Sequence, residues 1–110
     1  MIRVLMSSAA AALLRAILLR ADVARERILL TEVRSTDWQS LTMIGERHEF
    51  GLRIPGPDAA AVAARLCDGL ADADFTIAGQ LVADIAVVDQ MSGLADGAVS
   101  LSIEALTITV

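Results

Sequence analysis

Lysine and tyrosine are absent from this chain, and cysteine and histidine occur once each, at Cys67 and His48. A single thiol excludes an intrachain disulfide, an all-cysteine zinc site and a cysteine-ligated cluster. It suits a reducing compartment, so a cytoplasmic location is expected. A single imidazole excludes a multi-histidine metal site within one chain. Aromatic residues number only three, Trp38, Phe50 and Phe75. No G-x-G-x-x-G, G-K-[ST] or G-x-S-x-G occurs, which leaves dinucleotide, P-loop and hydrolase-elbow chemistry without support. The acidic stretch Asp72-Ala73-Asp74-Phe75 does not go on to complete the calcium-loop pattern. No cofactor, metal or catalytic residue is therefore expected.

What is present is apolar and acidic. The chain has 110 residues, 55% of them hydrophobic, with a formal net charge of −5. That is enough for one core and too little for two, and the apolar share argues against disorder. With no repeat or low-complexity linker, residues 1–110 read as a single domain. All basic residues are arginines; those beyond position 27 are scattered at 34, 47, 53 and 65 within an acidic background. Nucleic acid is not an expected partner, because a binding face gathers its cations.

Residues 1–27 differ in charge, with five arginines against two acids. Such asymmetry can mark a targeting peptide, and the Arg, Ser and Ala content fits a mitochondrial presequence. The longest charge-free stretch, Val4–Leu14, is far short of the roughly 20 apolar residues that a membrane span requires. The segment runs directly into strand-like sequence, so we read it as a packed helix and expect no transmembrane segment.

Along the chain, Ile2–Met6 suggests a short first strand. Ser7 or Ser8 is placed to cap a helix that starts in the Ala9–Ala12 run and lasts to about Val23. Its wheel separates Ser8, Arg15, Asp22 and Glu26 from Leu5, Ala9, Leu13, Ala16 and Ile17. A strand over Arg27–Val33, a polar turn at Arg34–Asp37, and a hairpin from Trp38–Ile44 through Gly45-Glu46-Arg47 to His48–Ile54 follow. In the return strand His48, Phe50, Leu52 and Ile54 share one face and Glu49, Gly51 and Arg53 the other.

Pro55-Gly56-Pro57-Asp58 opens a second helix, with Pro57 at its first position and Ala59, Val62, Ala63, Leu66 and Leu70 on one stripe. Gly69 either ends this helix or weakens it. Strands over Phe75–Ile77, Leu81–Val88 and Val99–Val110 complete the chain, with Leu81, Ala83, Ile85 and Val87 directed inward. In the last strand the apolar phase changes at Ala105–Leu106, which calls for either a β-bulge or a strand that leaves its sheet for a partner. Helices alternating with hairpins imply an α+β two-layer sandwich: an antiparallel sheet with two helices on one face, similar in topology to the ferredoxin-like arrangement.

Three residues are candidates for ligand contact. His48 sits in an E-x-H-E cluster with Glu46 and Glu49, and with Trp38 and Phe50 it would line a small-molecule pocket. The alternative is a core histidine satisfied by a neighbour and a tryptophan used in packing. Cys67 has Asp68 and Asp72 for neighbours, which disfavour a thiolate, and reads as packing. The expected role is a non-enzymatic, homodimeric structural or interaction module, because two apolar-faced helices and a two-faced apolar strand exceed what one small globule hides. A small-ligand-binding or cofactor-independent enzyme domain with its pocket near His48 and Trp38 is the alternative.

Overall fold

The computed structural model describes residues 6–110. The expected strand at Ile2–Met6 lies outside them except for Met6. Helix α1 spans Ser8–Leu19, and the Ser7 hydroxyl accepts a hydrogen bond from the Ala10 N–H at 3.1 Å. This is the cap that the Ser-Ser pair implied: it satisfies one of the four N–H groups that a helix start leaves bare. The helix stops short of Val23. Asp22 takes a φ of 54°, a left-handed conformation no helix can continue through. A 3₁₀ turn at Arg25–Arg27 then leads into the sheet.

Strands β1 (Leu29–Gln39), β2 (Ile44–Ile54), β3 (Gln80–Met91) and β4 (Val99–Thr109), with helix α2 (Ala59–Cys67) between the two hairpins, complete the fold. The sheet is antiparallel throughout, in the order β1-β2-β4-β3. The class is therefore α+β, as expected. A ferredoxin-like chain has one strand before the first helix and one after the second. Here two strands follow α2, and what precedes α1 lies outside the described residues, so the finer arrangement is not established.

The first hairpin differs from expectation. Arg34–Asp37 is not a turn: β1 runs unbroken through it, paired with Arg47, His48 and their neighbours on β2. The turn falls instead at Ser40–Met43. There the Ser40 N–H donates to the Met43 carbonyl at 2.9 Å, and the Ser40 hydroxyl accepts from the Met43 N–H at 3.1 Å. A serine closing its own loop replaces the glycine turn. Gly45 belongs to β2, and a side chain there would put its Cβ 2.0 Å from the Thr107 carbonyl oxygen. The glycine thus permits close approach of β4 rather than a reversal of the chain.

The period-two face read in β2 is present. His48, Phe50, Leu52 and Ile54 are buried, and on β4 they pair with Ala105, Ile103, Leu101 and Val99. Helix α1 covers this face with Ala10, Leu13, Leu14 and Ile17, and α2 covers it with Ala59, Val62, Ala63 and Leu66; all are almost wholly buried. Pro57 precedes Asp58, the cap of α2, and so stands outside the helix rather than at its first position. Gly69 ends it, with φ 67°, the left-handed exit that glycine takes without a Cβ penalty.

The two helices cap each other. Arg20, just past α1, donates through Nε to the Leu66 carbonyl at 3.2 Å and through Nη2 to the Asp68 carbonyl at the end of α2. Arg65 on α2 returns a bond from Nε to the Ala21 carbonyl at 3.0 Å. Each guanidinium neutralises the negative end of the other helix and fills carbonyls with no partner of their own.

Strand β4 carries neither a bulge nor a departure from the sheet. Its pairing with β2 is regular from Val99 to Ile108, and the irregularities lie opposite, in β3, at Val82/Asp84 and Val87/Asp89. Those shifts turn Val82, Ile85 and Val87 toward the core side and leave Leu81 and Ala83 exposed, which reverses the expected facing of the latter two. The Phe75–Ile77 segment forms one bridge, Ile77 to Gln80, and not a strand. Among the described residues, no helix is long and apolar enough to cross a membrane.

Candidate functional site

Even-numbered positions of β2 face the helices, so His48 points inward beside Phe50, and its ring is entirely buried. The two rings lie nearly parallel, with centroids 5.9 Å apart and 10° between their planes. Pairing across the sheet puts Ser35 of β1 on one side of the imidazole and Ala105 of β4 on the other, with Thr107 two positions further along β4. Ser35 Oγ is 2.8 Å from Nδ1, and Thr107 Oγ1 is 2.8 Å from Nε2. Thr107 Oγ1 also reaches the Glu46 carbonyl oxygen at 3.5 Å.

A carbonyl only accepts, so the threonine proton goes to Glu46 and its oxygen accepts from Nε2–H. Nδ1 is then the acceptor for the Ser35 hydroxyl. With this assignment every proton in the row has one acceptor, and every buried side-chain polar atom among the described residues has a partner. The imidazole is held neutral. Burial lowers its pKa from the ordinary 6.5, and the nearby Glu46 carboxylate opposes this more weakly. Three strands, β1, β2 and β4, are thereby joined through side chains as well as through their ladders.

The three candidate ligand residues do not share one cavity. His48 and Phe50 are stacked in the core, whereas Trp38 pairs with Gly45 and stands on the opposite face of the sheet. Trp38 borders a shallow groove of about 340 Å³ at the hairpin end, together with Asp37, Gln39, Ile44 and Thr109. A second hollow of about 380 Å³ lies at the end of α1, lined by Arg15, Leu18, Leu19, Asp22 and Arg25. Neither reaches the imidazole. Glu46 and His48 share a face, but Glu49 points away from them, and no group of three metal-ligating side chains occurs among the described residues. Burial pushes the Cys67 thiol up, and Arg20 counters this only in part.

Two residues of the imidazole row, Ser35 and Thr107, were not singled out from sequence. Thr107 had a visible signal: it is the polar member of the alternation Val99, Leu101, Ile103, Ala105, Thr107.

The remaining feature of note is apolar. Leu41, Met43, Ile44, Leu81 and Val110 are all exposed. The register brings them to one end of the sheet, since Ile44 follows the β1–β2 turn, Leu81 pairs with Ile108, and Val110 bonds to Gly79 at 3.1 Å. The chain matches no protein-family model, no curated protein and no solved structure.

Proposed function

We propose that the chain is a non-enzymatic, homo-oligomeric structural or interaction module. The supporting observation is the apolar end of the sheet. Among the described residues, five of the nine large hydrophobics that remain exposed are gathered there, with Leu41 at full exposure. Single exposed leucines are ordinary, but a grouped set at the rim of a folded core is a contact surface. The polar side chain at the centre of the core supports the same reading, because His48 has no opening to solvent and spends both nitrogens on hydroxyls. We take the module to work in the cytoplasm, in keeping with its single unpaired thiol. Light scattering on a size-exclusion column tests the assembly. A dimer or larger species is expected at micromolar concentration, and a monomer persisting at about 100 μM would remove the reading.

The alternative, a ligand-binding or cofactor-independent enzyme domain, draws support from one distance, the 2.8 Å between Ser35 Oγ and His48 Nδ1. A serine beside a neutral imidazole is the start of a nucleophile–base pair. Covalent labelling of Ser35 by a fluorophosphonate, lost in His48→Gln, would favour that reading over the first; absence of labelling leaves the serine a structural hydroxyl.

A further inference from the structure

We infer that the second copy pairs through the edge of β1, antiparallel and centred on Thr36, to make one continuous eight-stranded sheet. The inference rests on the homo-oligomeric reading and places an interface beside Leu41 and Met43, the part of the apolar sheet end that borders β1.

Among the described residues the sheet has two edges, β1 and β3, and they are built differently. Strand β3 is interrupted by two register shifts and carries Asp84 and Asp89 beside them. Bulges and charges of one sign are the devices that keep an edge from pairing. Strand β1 has one shift, at Leu30/Glu32, and is then regular from Glu32 to Gln39. No described element covers its outer side. Among the described residues that stretch is an open row of backbone donors and acceptors, and its charges, Glu32, Arg34 and Asp37, are of both signs rather than one.

The side chains select a register. A two-fold axis normal to the sheet keeps each face continuous, so directly opposed residues must share a face. Glu32, Arg34, Thr36 and Trp38 lie on the open face, and Val33, Ser35, Asp37 and Gln39 on the helix side. An axis at Arg34 opposes two arginines, and an axis at Asp37 opposes two aspartates. An axis at Ser35 opposes Val33 to Asp37 and Glu32 to Trp38. An axis at Thr36 opposes Arg34 to Trp38 twice, Ser35 to Asp37 twice, and Thr36 to itself. These are cation–π and threonine–threonine pairs, each favourable across strands, and Asp37 meets the neutral Ser35 rather than a like charge.

Arg34 has the freedom to serve. It is exposed, and its contacts to Glu32 and Glu49 are both 3.4 Å, the loose geometry of a surface ion pair. The same register carries the Leu41–Met43 turn alongside the first residues of the partner's β1, where Leu29 is exposed. Both apolar regions flanking Thr36 are then covered by one operation.

The test uses the full chain with Cys67→Ala. Antiparallel neighbours hold their Cα atoms about 4.5 or 5.5 Å apart, and both spacings suit a disulfide. Thr36→Cys is expected to form a disulfide-linked dimer on oxidation, while Asp89→Cys on the β3 edge does not. In the otherwise native chain, Thr36→Lys opposes two cations at the axis and is expected to weaken association at least tenfold by sedimentation equilibrium. Thr36 is exposed, so the folded monomer retains its circular dichroism. A dimer that Thr36→Lys leaves unchanged and that Thr36→Cys does not crosslink overturns the β1 interface and spares the homo-oligomeric reading. A native chain that stays monomeric overturns both.

Discussion

The buried imidazole makes stability depend on pH in a defined window. His48 is neutral in the folded chain because burial disfavours its charge, so its pKa lies below the 6.5 of an exposed histidine. As pH falls through about 6.5, the unfolded chain takes up a proton that the folded chain refuses. Stability is then fully present above the unfolded value and is lost as pH falls toward the folded one. One proton gives at most about 1.4 kcal/mol per pH unit, and the first unit below 6.5 accounts for at most about 1 kcal/mol. With a urea slope of about 2 kcal/mol per molar, the unfolding midpoint moves down between pH 6.5 and 5.5, by at most about 0.5 M. The depressed carboxylates do not obscure this. Asp58, held by its hydrogen bond from Arg27, and Asp96, held by the Ala98 N–H, both lie below 3.8 and release their contribution only under that value. His48→Gln, which does not titrate, is expected to be less stable at pH 7.5 by about 1–3 kcal/mol through its misfitted buried hydrogen bonds, and to lose the slope. Urea titrations of both chains at pH 7.5, 6.5 and 5.5 decide the matter. A native midpoint that stays flat across this range, or a variant that keeps the same slope, would refute the assignment of a neutral, enclosed imidazole.

Other substitutions probe the frame around it. Gly45→Ala sets a methyl against the Thr107 carbonyl, where backbone cannot yield cheaply; a loss of about 3 kcal/mol in urea unfolding is expected. Arg20→Ala removes two charged hydrogen bonds from the end of α2 and should cost about 2 kcal/mol, with Arg65→Ala costing about half as much for its single bond to Ala21. Ser7→Ala deletes the cap of α1 and is expected to cost about 1 kcal/mol, read as a lower thermal midpoint.

How much of this fold is legible in the sequence depends on whether the determining contact is local. The Ser7 cap, the glycine exit of α2 and the alternation from His48 to Ile54 are written within a few residues of where they act, and each is present. The middle of β1 is not so written. Arg34-Ser35-Thr36-Asp37 has the composition of a turn, yet it is extended because it lies at an edge, where polar side chains meet solvent on the open face and Ser35 meets an imidazole thirteen positions away. Gly45 misleads for a similar reason: its missing side chain answers to a carbonyl on β4, a contact no local pattern records.

The phase change in β4 shows how the same limit applies to the site. Read alone, Leu106, Ile108 and Val110 replace the buried series that ends at Ala105, and a bulge or a partner must absorb the exchange. In the folded chain the series does not end. It continues into Thr107, which is as deeply buried as its apolar predecessors, because His48 on the neighbouring strand requires an acceptor at that position. An unpaired Nε2–H in the core would cost more than a threonine methyl gives up relative to valine. Leu106 and Ile108 then fall on the face away from the helices, next to Asp84 and Leu81, where Leu106 is half-buried and Ile108 is buried. One polar pair therefore sets the facing of the last residues of β4.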